Sequence, residues 1–233
     1  NAYAEYFSAF TSVAELEDLL SRPEARLPLL ILGGGSNILF TGNYNGLVLK
    51  NEIKGLQIIR ETPEYRYVKV GAGESWHEFV EHCIDHELAG VENLSLIPGN
   101  AGASPMQNIG AYGVEIKDVF HQLEAYHLKD RTIVQFKKED CAFGYRESVF
   151  KGKYKDQFVI LNVTYRLLRK PVFNISYGAI EQELEKMQVK ELSIRAVSQA
   201  VINIRRSKLP DPAVAGNAGS FFKNPEIPAE DFF

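Results

Sequence analysis

The sequence predicts an α+β fold, and three observations carry that prediction. Strand-like apolar segments alternate with amphipathic helical segments, but unevenly, so neither a regular βαβ order nor an all-β order fits, and mixed sheets are expected. Hydrophobic residues make up 45% of the 233 residues and charged residues 24%, the usage of a chain with a packed core. The stretch 93–113 has no period and is rich in Gly, Pro, Asn and Ser, yet it carries few charges. An ordinary surface loop of that length is more charged, so this one is expected to fold around something.

In order along the chain, the spacing predicts a helix over 12–22, capped by Ser12, with Val13, Leu16, Leu19 and Leu20 on one face. A short apolar run at 28–32 reads as a buried strand and 46–50 as another. Strands over 56–61 and 65–70 join at a turn around Pro63. The segment 75–87 is a helix with Trp76, Phe79, Val80 and Cys83 on one side. A hairpin spans 119–128 and 132–136, turning at Lys129, Asp130 and Arg131. A long strand follows at 158–168, then helices at 178–187 and 193–206 and a second Gly/Asn/Ser loop at 211–225. No internal repeat is present.

Length sets a prior of one or two domains. A net charge of −4 argues against a nucleic-acid partner. The longest apolar run, 27–32, is too short to span a bilayer, and the start lacks a basic region followed by an apolar one. Cys83 and Cys141 do not make a disulfide framework, so free thiols, a cytoplasmic protein and a monomer are expected. The ends read as cut: the chain starts at Asn1, and 228–233 has the acids of a helix's first turn but no helix after them.

Three segments bunch backbone N–H groups: Gly33, Gly34, Gly35, Ser36 and Asn37 directly after a strand; 98–105; and Gly110, Ala111, Tyr112 and Gly113. Small residues allow close approach of a ligand, and successive amides form anion-binding nests. One such loop is usually a tight turn; three together point to a bulky phosphorylated ligand. The first lacks the lysine of a Walker loop. Gly71-Ala72-Gly73 begins like a dinucleotide fingerprint, but Trp76 occupies the position that needs a small residue, so it reads as a strand end before a capped helix. His77, His82 and His86 share one helix; with no further ligands they read as a polar flank, and no metal is expected.

Several of these stretches resemble the motifs of the UDP-N-acetylenolpyruvoylglucosamine reductase family: 31–40 and 96–113 its flavin loops, 141–148 its arginine motif, 216–225 its serine motif, and Ser176-Tyr177-Gly178 the tyrosine loop of one of its classes. The resemblance implies the two-lobed FAD-binding fold of the vanillyl-alcohol-oxidase type, with lobes at 1–50 and 51–208, and at 209–233 the start of a substrate-binding domain whose remainder is absent. It implies non-covalent FAD, NADPH as co-substrate and a UDP-sugar whose enolpyruvyl group is reduced for peptidoglycan synthesis. Cofactor contacts are implied for Gly33, Gly34, Gly35, Ser36, Asn37, Pro98, Gly99, Gly102, Ala103, Ser104, Gln107, Asn108, Gly110, Ala111, Tyr112, Gly113 and Tyr145, and substrate contacts for Tyr177, Arg205, Lys208 and Asn224. Arg146 and Ser220 are the implied catalytic pair. The family's N-terminal flavin contact and late catalytic glutamate are missing, so these 233 residues alone are expected to be inactive.

From the residues alone, Arg146 could equally pair with Glu147 or another acid, Ser220 could be a turn hydroxyl, and Arg205, Arg206 and Lys208 could serve a helix dipole. A flavin oxidase of the same fold is the competing enzyme, though no His or Cys sits beside the first loop to tether a flavin. A nucleotide-binding module without chemistry is the third reading.

Overall fold

The computed structural model describes residues 2–177, 179–211, 214–216, 225 and 228. Parallel and antiparallel pairings both occur, each in its own sheet. The first sheet holds β1 (Ala4–Phe10), β2 (Leu29–Leu32) and β3 (Tyr44–Asn51), all parallel, in the order β1-β3-β2. Helix α1 (Val13–Ser21) makes the crossover from β1 to β2, and the Ser12 hydroxyl accepts from Glu15 N–H, as the cap pattern predicts. Strand β1 escaped the sequence reading. It is an edge strand in which Phe10 alone is buried, and Tyr6 and Phe7 are both exposed, so alternation is lost.

The second sheet is antiparallel, in the order β4-β5-β10-β8-β9, from β4 (Leu56–Glu61), β5 (Tyr65–Gly71), β8 (Phe120–His127), β9 (Thr132–Lys137) and β10 (Phe158–Leu168). The predicted hairpin is β8–β9; Arg131 turns it with φ +53° and donates its N–H to His127 O. A short ribbon, β6 (Gly110–Ala111) and β7 (Val114–Glu115), lies between the two halves of this sheet in sequence.

Strand β10 is central, and its nearly unbroken apolar sequence has a physical reason. Val159 and Leu161 pack with Tyr126 against Phe10, Leu16, Leu47 and Leu49, in the core between the two sheets. Ile160, Val163, Tyr165 and Leu167 face the other core, with helix α2 (Trp76–Asp85). A strand covered on both faces shows no alternation. Trp76 and Phe79 meet Tyr165 at ring-centroid distances of 5.6 and 4.9 Å. Each such aromatic stabilises the fold by about 1.5–3 kcal/mol through burial. The indole N–H of Trp76 donates to Leu94 O at 2.9 Å, so the second core holds no unpaired indole.

The glycines before α2 are explained by a chain crossing. A Cβ at Gly73 would stand 2.7 Å from Glu52 Cα, and one at Gly71 2.5 Å from Ile53 O. Ser75 caps α2 through Glu78 N–H, so this is the strand end and capped helix that Trp76 implied. The last layer pairs α3 (Ala179–Lys186) with α4 (Ile194–Lys208) around Ile180, Leu184, Val201 and Ile204. Cys83 and Cys141 are free and buried; burial pushes both thiols up, Cys141 to about 12 with Asp140 and Glu139 adding to it, so neither is a nucleophile. Among the described residues no helix is long and apolar enough to cross a membrane.

Candidate functional site

The first two glycine segments, 66 residues apart in sequence, lie against each other. Gly33 to Asn37 leave the end of β2, and Gly99 to Ala103 pass in front of them. A Cβ at Gly34 would stand 2.7 Å from Asn100 Oδ1 and 3.2 Å from Gly99 Cα. A Cβ at Gly99, where φ is +110°, would stand 2.8 Å from Ser36 Oγ. The side chains of Asn37 and Gln107 meet at 3.5 Å. At Gly99 the positive φ and at both positions the close packing favour glycine.

The two loops do different work. The amides of Ala101, Gly102, Ala103 and Ser104 donate to Glu74 O, Ala72 O, Asn100 O and Ala101 O. That segment is satisfied internally and supplies shape. Among the described residues, no protein acceptor takes the amides of Gly34, Gly35, Ser36 or Asn37. A run of free N–H groups beside a strand end can form a cradle for an anion such as a diphosphate. Beside it opens a cleft of about 210 Å³ between the sheets, walled by Leu29, Ile31, Ala103, Phe158, Val159 and Gly33. Its walls are mainly apolar, as a flat ring requires. Glycine cradle, free amides and apolar slot together fit a dinucleotide cofactor.

Two residues of the expected cofactor set turn inward. Ser104 is 1% exposed, and its hydroxyl shares a 2.7 Å hydrogen bond with Tyr165 OH in the core. Asn108 is fully buried, donating to Gly144 O and accepting Lys117 N–H. Their side chains fix the loop's path rather than reach a ligand.

Asn108 thereby joins the loop to the segment carrying Arg146. The backbone of Arg146 is left-handed, φ +53°, and its guanidinium donates to Asn108 O at 3.4 Å and to Gly110 O. Glu115 Oε1 is 3.8 Å away, and the Tyr145 ring lies 5.2 Å beneath Cζ. Glu147 is not the partner; its backbone bridges Gly144. Two carbonyls hold the fork in place, and the side chain stays 31% exposed, so the guanidinium remains accessible to an anion. Gly110 is small for the same reason: a Cβ there would stand 2.9 Å from Arg146 Nη1.

The third glycine segment splits between two neighbourhoods. Gly110 touches Arg146, whereas Tyr112 faces the expected substrate residues. Its ring meets Tyr177 edge-on at 5.8 Å, with Tyr177 itself 57% exposed. Arg205 reaches the same place from α4; burial lowers its pKa, with Tyr112 opposing, and among the described residues its buried Nε has no hydrogen-bond partner. Lys208 is exposed at the end of α4. Ser220, Lys223 and Asn224 lie outside the described residues.

Sequence reasoning passed over Asn93 and Glu115. Asn93, 2% exposed, donates to Tyr112 O and Asn174 O and so sews the tyrosine segments together. Its one signal was its place at the start of the aperiodic stretch. Among the described residues, no group of three metal-ligating side chains occurs; His82 and His86 stack at 4.0 Å.

Comparison with known proteins agrees with this geometry. Residues 4–136 match the FAD binding domain family. The chain is 51% identical over 227 residues to UDP-N-acetylenolpyruvoylglucosamine reductase of Amoebophilus asiaticus, covering 97% of this chain and 67% of that protein. It is 48% identical to the same enzyme of Flavobacterium johnsoniae, covering 99% and 68%. Among solved structures, the corresponding reductase of Thermus caldophilus superposes with a TM-score of 0.68 at 21% identity, over 94% of this chain and 68% of that one. A vanillyl-alcohol-oxidase-type flavoprotein of Myceliophthora thermophila superposes at 0.52 with 18% identity, over 71% and 32%, a likeness of fold.

Proposed function

We infer the reaction from one premise: the chain belongs to the UDP-N-acetylenolpyruvoylglucosamine reductase family, whose members are FAD-dependent oxidoreductases. The reading is NADPH-dependent reduction of the enolpyruvyl group of UDP-N-acetylenolpyruvoylglucosamine to give UDP-N-acetylmuramate for peptidoglycan, in the cytoplasm. The chain spans about two thirds of its relatives' length, so the reaction belongs to the whole protein. The two sheets are then the two flavin lobes, 1–50 and 51–208, and 209–233 opens the substrate domain.

FAD held in this site would supply hydride chemistry between NADPH and the enolpyruvyl double bond. The chain's own residues do the rest. Amides of Gly34 to Asn37 bind the cofactor diphosphate. Arg146 faces the substrate carboxylate, where negative charge grows as hydride adds to the enol ether, and a fixed cation is worth most there. Tyr177, Arg205, Lys208 and Asn224 bind the UDP-sugar, with the unpartnered Nε of Arg205 suited to an anionic oxygen. Ser220 gives a proton to the carbon left as a carbanion. The observation that carries this reading is the anchoring of Arg146 on the carbonyls of Asn108 and Gly110, two residues from the Tyr112–Tyr177 pair.

The test is direct. The purified natural protein is expected to be yellow and to turn over NADPH beyond one equivalent only when the enolpyruvyl UDP-sugar is present. Heat or acid should release the colour into the supernatant, since backbone amides hold the cofactor and no covalent tether does. Colour that stays with the precipitate, or NADPH oxidation indifferent to the UDP-sugar, would overturn the reading.

Gly34→Ala bears on the cradle itself. The new Cβ would press on Asn100 Oδ1 and the Gly99 backbone, so the Asn100 side chain must turn and the Gly99 backbone must give way. Flavin affinity is expected to fall at least about tenfold, the cost of roughly one buried hydrogen bond to a charged group. Titration of apo-protein with FAD measures it; an unchanged Kd would show that the close approach does not build the site.

A further inference from the structure

The first turn of α2 grips the second glycine segment at both ends. Trp76 N–H donates to Gly99 O at 2.9 Å. The next residue, His77, accepts the Leu96 N–H on its Nδ1 at 3.1 Å. Between these points the chain runs Leu96-Ile97-Pro98-Gly99, with Leu96 at φ +59° and Gly99 at φ +110°. Neither is a conformation the segment adopts freely; Leu96 in particular has a side chain that the left-handed region disfavours. Gly99 is the residue seated against Ser36 of the anion cradle. The imidazole of His77 therefore sits at the far end of a four-residue lever whose near end shapes the first loop.

We propose that His77 is a positioning residue of the flavin site: as a neutral imidazole it pins Leu96 and so the cradle, and its protonation releases them. The proposal rests on the flavin reading above. The hydrogen bond fixes the tautomer, because an Nδ1 that accepts carries no proton and the ring N–H is on Nε2, 3.6 Å from Glu81 Oε1. A second proton can go only to Nδ1. It would face the Leu96 N–H, donor against donor, and among the described residues that amide has no other acceptor.

The surroundings favour the neutral form. His77 is half-buried, with a side chain 23% exposed. Desolvation lowers its pKa below the usual histidine value; Arg205 and Arg206 on α4 push the same way, and Glu81 and Glu78 on its own helix oppose them. With the bound-state pKa depressed, the clamp is complete above the ordinary value of about 6.5 and is lost as pH falls below it. The same α4 is tied to the lever by the buried Ser95–Ser198 hydroxyl pair at 2.8 Å, next to Leu96. His77 thus links the cradle to the helix that carries Arg205.

The experiment is FAD titration of the natural apo-protein at pH 7.5 and pH 5.5, followed by quenching of flavin fluorescence. For the parent, Kd is expected to rise about tenfold on going to the lower pH, the loss of one hydrogen bond held in a strained loop. H77N places an amide oxygen where Nδ1 stands and cannot titrate. It is expected to bind FAD like the parent at pH 7.5 and to change less than about twofold at pH 5.5. H77L should bind about tenfold more weakly at both pH values. An H77N protein that keeps the parent's pH dependence, or a parent with none, overturns the clamp. A parent that takes up no FAD at any pH overturns the flavin reading instead. In that event ¹⁵N NMR of the apo-protein still decides the clamp: the Leu96 amide signal must move with the titration of the His77 ring, and an unmoved signal refutes it.

Discussion

Arg146→Lys is expected to reduce the enolpyruvyl substrate nearly as poorly as Arg146→Ala, with both at least about a hundredfold slower than the parent, the usual cost of removing one preorganised charge-stabilising group. Lysine keeps the charge but not the planar fork. The parent guanidinium uses part of that fork on Asn108 O and Gly110 O, which fixes where the rest points. An ammonium has three donors at one atom and no means of holding two carbonyls while presenting a flat pair to a carboxylate. The competing account is an ion pair with Glu115. At 3.8 Å and partly exposed, such a pair contributes about 1 kcal/mol or less, and its loss would leave the rate alone. Stopped-flow reoxidation of the reduced natural protein by substrate, beside a thermal melt and a flavin count, separates the two. A lysine variant that reoxidises at the parent's rate sinks the carboxylate clamp.

Ser220→Ala should divide the reaction in two. Reduction of the enzyme by NADPH needs no proton delivered to carbon and is expected to continue at nearly the parent's rate. Transfer to the enolpyruvyl group is expected to fall by at least about a hundredfold, the range of a lost general acid. A serine hydroxyl is a weak acid, and on the proposed reading it suffices because a developing carbanion is a strong base. Measured as two separate half-reactions, equal slowing of both would show that Ser220 shapes the site and moves no proton.

Legibility in the sequence followed the physics of each element. The capped helices α1 and α2 were readable because a Ser hydroxyl on the third amide and a one-sided apolar face are local properties. The hairpin β8–β9 was readable for the same reason. Strand β1 was not, because an edge strand with one buried residue of seven owes its existence to the neighbour it pairs with, β3, some 40 residues on. The glycine segments announced a phosphorylated ligand, but not their division of labour. Which amides stay free depends on whether Glu74 O and Ala72 O arrive to take them.

Composition, caps and small-residue runs need no partner to be recognised, and they mark an α+β chain with three glycine segments and one arginine motif. Tertiary structure alone decided which of those residues meet. It turned Ser104 and Asn108 into the core, moved Tyr112 beside Tyr177 and Arg205, set Arg146 on the carbonyls of Asn108 and Gly110, and put His77 under Leu96. Each of these contacts except the last spans from 36 to 93 residues of sequence, and the last spans 19. A hydrogen bond across such a gap leaves no periodic trace in the chain, because its two halves are brought together only when the sheets close and the strand order β4-β5-β10-β8-β9 is fixed.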